Sequence, residues 1–237
     1  MRPRLVFRVH PTAAVRGSFW CLCVTVCLAV VGCEYVAVIA RASENPMKPP
    51  TYVLPDETTL VMVDDPKHLL SNPGLTRQVA TTAVHYLNHH KVLPTATFIE
   101  PRRLAALESR LGHRWNQTAI DTIAKELGAQ QVIYAKVVSV NTQVAETLYR
   151  PEGELEVKVL RARDNVRLWP EAVTLPDPDR PQPGHRLKIR LDHVTSDSQF
   201  AGDATPDDLS RRLADEAGLR LAELFHESRK PQPGDKL

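Results

Sequence analysis

His85 and His89 stand four residues apart in a run with helical periodicity, with His90 adjacent. That spacing puts two imidazoles on one helix face, as in helical zinc sites. A metal would need a third donor, for which Glu100 or another histidine is the candidate, and no HExxH accompanies the pair. The plainer reading is a polar helix end, where histidine is favourable against the helix dipole. Asp56, Glu57, Asp64 and Asp65 flank a β-branched run, and Asp64-Asp65-Pro66 lies at its carboxyl end. Sites of α/β proteins gather there, so these acids are candidates for a cation or a small ligand. The alternative is a solvated turn with Asp65 held extended by Pro66. The third chemical candidate is Cys33, preceded by Val30-Val31-Gly32. Branched and small residues before a cysteine resemble a bacterial lipobox, whose cysteine is lipidated and becomes the first residue of the mature chain.

No glycine-rich phosphate loop, no GxSxG and no pair of acids at a telling position occurs. The expectation is therefore no catalytic residue and no cofactor, which sets the common hydrolases and nucleotide enzymes aside. Asn116-Gln117-Thr118 matches a glycosylation sequon but reads as the start of a helix.

The elements carrying these residues begin after a leader. Arg2, Arg4, Arg8 and Arg16 precede the uncharged run from Ser18 to Gly32, the pattern of an export signal. The segment allows three readings. Residues 1–33 form a signal ending at the lipidated Cys33; or residues 18–40, interrupted only by Glu34, cross the bilayer as an uncleaved helix; or cleavage after Ala40-Arg41-Ala42 releases a soluble protein. Each places the remainder outside the cytoplasm. All four cysteines, Cys21, Cys23, Cys27 and Cys33, belong to this segment, so the folded part carries no disulfide. Four of the 30 Lys and Arg residues lie in the first twenty positions and none of the 28 Asp and Glu. The pI of 8.4 thus belongs to the leader. The chain beyond the leader is weakly acidic and does not imply nucleic acid as a partner.

Residues 34–56, with prolines clustered around Pro49-Pro50, read as a linker, and residues 228–237 as a disordered tail. Between them, residues 57–227 make one domain. Thr58 to Asp64 is a strand, and Asn72-Pro73 offers an N-cap with proline at the first helical position for a helix bearing Leu75, Val79, Ala83, Tyr86 and Leu87. Thr95 to Glu100 predicts a short strand. Pro101 opens a helix stopped by Gly112, and Thr118 with Asp121 is spaced as the capping box of a third, ended by Gly128. Gln131 to Val140 and Glu154 to Ala162 alternate as strands around a turn at Arg150-Pro151-Glu152-Gly153. Arg163-Asp164-Asn165 turns into Val166 to Pro170. A proline-rich loop covers Glu171 to His185, and Leu187 to Val194 adds a strand. The last helix starts at Thr205-Pro206-Asp207-Asp208 and buries Leu209, Leu213, Ala217, Leu221, Leu224 and Phe225. The order predicts an α/β (α+β) domain in two layers, with a mixed sheet of about five strands and three to four helices.

Leu127-Gly128-Ala129 leading into Val132-Ile133, together with Trp169-Pro170 at the end of a hairpin, resembles the fold of the amino-terminal domain of TolB and of the envelope lipoproteins of the CsgG, LpoB and PelC type. The resemblance covers about residues 57 to 227, and the proline-rich loop after Trp169 departs from it. It implies a fold and no functional residue. With the leader it gives the expectation of a lipoprotein of the cell envelope, anchored by lipid or helix, facing the periplasm, non-enzymatic, and partnered by an envelope protein or by itself. The alternative is a periplasmic domain for a small ligand or metal, with hydrolytic chemistry at His85/His89 or Asp64/Asp65.

Overall fold

The computed structural model describes residues 47–70, 72–145, 148–171, 183–191, 195–196 and 206–229. Cys33, the leader and most of the linker and tail lie outside these residues, so the lipobox and anchor readings do too. The folded unit starts at Lys48.

Strand β1, Thr59–Asp64, is apolar on both sides because both of its faces are covered. Helix α1, Gly74–His89, comes next. Asn72 starts it as expected in kind: its Oδ1 accepts from Gly74 N at 2.7 Å and its carbonyl from Leu75 N at 3.0 Å. Pro73 sits at the cap position, one place before the expected first helical residue.

The strand expected over Thr95 to Glu100 reduces to one parallel bridge between Thr59 and Phe98. Thr59 N donates to Thr97 O at 3.0 Å and Ile99 N to Thr59 O at 2.9 Å. The Asp56 carboxylate explains the shortfall. It takes the N–H groups of Ala96 at 2.9 Å and Thr95 at 3.2 Å, and the Thr95 hydroxyl as well, drawing this stretch into a loop.

Helix α2, Pro101–Leu111, buries Leu104 and Leu107. Gly112, at φ 53°, ends the α-helix, but the chain tightens into a 3₁₀ turn, Gly112–Gln117, instead of stopping. Helix α3, Ile120–Leu127, lacks the expected capping box. Thr118 Oγ1 donates back to Arg114 O at 2.8 Å, and Asp121 pairs with Lys125 at 2.9 Å. The 3₁₀ turn captures the hydroxyl that the box required. Gly128 takes the left-handed conformation at φ 78°, where glycine carries no Cβ penalty, and turns the chain into the sheet.

Strand β2, Gln131–Ala145, runs parallel to β1, with Thr59 opposite Gln131 and Asp64 opposite Lys136. Strand β3, Leu148–Arg161, returns antiparallel. The turn predicted at Arg150-Pro151-Glu152-Gly153 is strand instead: Glu152 pairs with Asn141 and Gly153 with Val140. Pro151 is tolerated because the ladder is irregular there, with register shifts between Val137 and Ser139 and between Asn141 and Gln143. Arg163-Asp164-Asn165 turns the chain as expected, with Asn165 at φ 56°, into β4, Arg167–Trp169. Of the proline-rich loop, residues 172–182 lie outside the described residues. His185 already belongs to β5, His185–Arg190, which pairs with β3, as does the two-residue β6, Thr195–Ser196. Residues 192–194 of the predicted strand are not among those described. Helix α4, Pro206–Glu223, begins at the expected proline. Its cap, Thr205, lies outside the described residues, and Asp208 pairs with Arg211 at 3.5 Å.

The sheet is mixed and the fold is α+β, as predicted, but the helices divide between its two faces. Alternation along the strands sends Val61, Ile133, Ala135, Val157 and Val159 into a core with α1 and α4. Leu60, Met62, Val132 and Leu160 join a second core with α2 and α3. Two layers therefore become three, because β1 and the start of β2 are apolar on both faces. Gln131, fully buried at the seam, donates from Nε2 to Pro55 O and Thr59 Oγ1, both at 2.8 Å, and fastens the incoming chain to the sheet.

Candidate functional site

His85 and His89 are exposed on the last turns of α1. The His85 ring meets Tyr86 edge-on at 5.6 Å, and His89 meets His90 edge-on at 5.2 Å. Among the described residues no group of three His, Cys, Asp or Glu side chains is placed to hold a metal ion, so no third donor, Glu100 included, joins them. The histidine that the structure does bring in is His226, just beyond α4. Its ring stacks on His90 at 3.8 Å and 11°. His226 is buried, and its Nδ1 lies 2.6 Å from Glu227 O. A carbonyl only accepts, so Nδ1 is the donor of this bond, while Nε2 is buried with no hydrogen-bond partner among the described residues. Burial, then His226 and His89, hold the His90 imidazole below the ordinary histidine range. Nothing in the sequence pairs positions 90 and 226; only the parallel packing of α1 on α4 does, with Gln78 against Arg211 and Asp215 at one end and His90 against His226 at the other.

Asp64 and Asp65 line a cleft at the carboxyl end of β1, between α1 and the α2–α3 side. It has a volume of about 170 Å³ and is walled by Arg77, Leu104 and Glu108. A neighbouring depression of about 390 Å³ shares Asp64, Asp65, His68, Trp115 and Asn116 with it and reaches Tyr134. The two acids differ in what they have left to offer. Asp65 spends both oxygens on its own loop, accepting from Leu69 N at 2.9 Å and Leu70 N at 2.8 Å, which supports His68 at φ 52°. Asp64 accepts the Tyr134 hydroxyl at 2.7 Å. Burial pushes the Tyr134 phenol far up, and the Asp64 hydrogen bond and charge add to it, so the phenol stays protonated. The cleft therefore presents a half-buried carboxylate held by a phenol, beside an indole. It can hydrogen-bond a small polar group, but it shows neither an activated nucleophile nor an acid–base pair. Tyr134 does not stand out by its spacing; its reach to Asp64 comes from the parallel register of β1 and β2, which sets it opposite Met62, two residues from Asp64 on the same face.

A third surface is the sheet itself. Helices α2 and α3 cover β1, the start of β2 and the end of β3. Beyond them no described helix lies over this face, which is charged and partly exposed. Glu152, Glu154 and Glu156 form the middle row on β3, opposite Arg190, Lys188 and Arg186 on β5, and Lys136 on β2 stands opposite Glu156. Arg186 reaches Glu154 at 3.2 Å, Arg190 reaches Glu152 at 3.4 Å, and Lys158 reaches Glu156 at 2.8 Å. Burial works against the charge on Glu156, yet Lys158, the Gly184 N–H and Arg186 together hold its carboxyl below the ordinary range. Gly184 is required beside it, since a Cβ there would lie 2.7 Å from Glu156 Cγ and 2.7 Å from Val157 O. Lys136 and Lys188 make no ion pair of their own among the described residues. The alternation of ELEVKV signalled half of this ladder, and HRLKIR carries the matching half.

No known family and no curated protein matches the sequence. Among solved structures, the chain is similar to a PelC dodecamer from Paraburkholderia phytofirmans, with a TM-score of 0.38, 9% identity, and coverage of 76% of this chain and 95% of that one. It is similar to the lipoprotein GNA1162 from Neisseria meningitidis, with a TM-score of 0.40 and 11% identity over 70% of this chain and 97% of that one. It is also similar to the LpoB C-terminal domain from Salmonella enterica, with a TM-score of 0.31 and 16% identity over 61% and 88%. PelC and LpoB are two of the types that the Leu127-Gly128-Ala129 and Trp169-Pro170 motifs resemble.

Proposed function

We propose that this chain is an envelope lipoprotein, tethered through Cys33, whose α/β domain acts outside the cytoplasm by holding another protein and catalyses nothing itself. The observation that carries the proposal is the half-covered sheet. One face is closed by α1 and α4. Among the described residues the other is closed by helices only over β1 and the neighbouring end of the sheet, leaving a three-strand ladder of charges with no described helix over it. Most of those charges are paired within the sheet and so are held in fixed positions, which suits recognition of a complementary surface more than non-specific attraction. The basic, apolar leader ending in a lipobox supports the location, and the spent Asp65 and phenol-bonded Asp64 support a non-catalytic role.

Cross-linking of the full chain in intact envelopes tests the proposal. The expected result is a discrete cross-linked species, lost when Glu152, Glu154 and Glu156 are replaced together by lysine in a chain that still folds by circular dichroism. Failure to cross-link to any protein, itself included, removes the proposal. Mass spectrometry of the mature amino terminus tests the tether separately, since lipid on Cys33 is expected and an intact Met1 or an amino terminus at Ser43 is not.

A further inference from the structure

We infer that the β5 edge, with Lys48 beside it, seats the domain on the anionic lipid headgroups of the membrane that anchors it. The inference rests on the tether through Cys33. Lys48 is the first residue of the folded unit, so the chain from Cys33 enters the domain there. The roughly 15 intervening residues span at most about 50 Å when extended, so the bilayer is always within reach of this corner. Lys48 shares a depression of about 330 Å³ with Lys188, Arg190 and Arg220. Arg220 is held between two carboxylates, Glu216 at 2.7 Å and Glu223 at 3.0 Å, a trio with one negative charge in excess, and Arg190 is shared with Glu152. Lys48 and Lys188 make no ion pair among the described residues and leave the corner positive after that excess is set against them. Lys48 also stands close enough to His185 to add to the burial that holds that imidazole below its ordinary value.

Among the described residues no strand pairs with the outer side of β5. Cations along such an edge have a plain structural use, which is to deter pairing with another chain. That use accounts for Arg186, Lys188 and Arg190 on the strand. It does not account for Lys48, which comes from the incoming linker and adds its charge at the same corner. An anionic surface attracts each such cation, and the attraction fades within a Debye length, so a short tether ending at the patch is the arrangement that makes so few charges effective. Seated on this edge, the domain would hold the glutamate ladder of β3 clear of the lipid, free for a protein.

Hydrogen exchange of the full chain tests this in nanodiscs of neutral lipid and in nanodiscs containing about a third anionic lipid. The result expected is several-fold slower exchange of the 185–190 amides in the anionic discs only, with residues 112–117 unchanged as a control. That protection should vanish at high salt and in the Lys48→Glu/Lys188→Glu chain. Equal exchange in the two kinds of disc overturns the inference while leaving the tether intact. A chain that does not stay with discs of either kind overturns the tether and this inference together. Protection that needs an added acidic protein, and appears equally in neutral discs, assigns the edge to a protein and overturns the lipid reading.

Discussion

Asp56 ties the linker to the loop after α1 through Thr95 and Ala96. The hydroxyl of Thr95 is the largest cause holding its carboxyl below the ordinary value of 3.8. A carboxyl depressed in the fold stabilises above its unfolded value, and that contribution disappears as pH falls through the folded one. Local opening of residues 94–97, read by hydrogen exchange, should therefore increase below about pH 4, and Asp56→Asn should show the opened behaviour already at neutral pH. Tyr134→Phe leaves Asp64 without its donor and should cost about 1 kcal/mol in urea unfolding. Tyr134 itself should give no phenolate absorbance on raising the pH until the fold is lost. Gly218 is the residue where size decides most. A Cβ there would fall 2.6 Å from Thr82 Cβ and 2.7 Å from Val79 O, so Gly218→Ala should push α4 off α1 and destabilise by about 1–3 kcal/mol.

At the scale of elements, the carboxyl end of α1 is pinned by the stack of His90 on His226. Because the His90 imidazole is held below its ordinary value in the fold, neutral His90 is favoured there. This contribution is complete above the unfolded value near 6.5 and is lost as pH falls below it. Thermal unfolding between pH 7.5 and 5.5 should show a falling midpoint, and His90→Phe, which keeps the ring face without the titration, should flatten that dependence. The elements themselves were mostly legible. Gly112 and Gly128 end their helices where the sequence says, because no other residue fits those dihedrals cheaply. Leu75, Val79, Ala83 and Leu87 do bury one face of α1. The misreadings share a cause. Thr95 to Glu100, Thr118 with Asp121, and Arg150 to Gly153 carry strand, cap and turn signals that are local, and in each case a partner elsewhere takes the backbone or hydroxyl: Asp56, the Arg114 carbonyl, and Asn141 with Val140 across the hairpin. The candidate sites fared likewise. Asp64 was visible as a strand-end acid, but its phenol partner and the His90–His226 stack depend on long-range packing that no spacing encodes.

For the whole molecule, three layers replace two because the sheet is apolar on both faces at one end and on one face at the other. That asymmetry was half legible, in the unbroken apolar run of β1 against the alternation of β3. What stayed out of sight was which helices go to which side. The close approach of α4 to α1 has a consequence for how such a chain reaches its working place. The first helix of the domain closes its core against the last one, and β1 must wait for β2, so little of the folded state is available to a chain emerging from its amino-terminal end. Under the proposed export, a polypeptide with this wiring would cross the membrane unfolded and stay exposed until its final helix had crossed too, and the interval between translocation and closure would be the period in which proteases and chaperones compete for it.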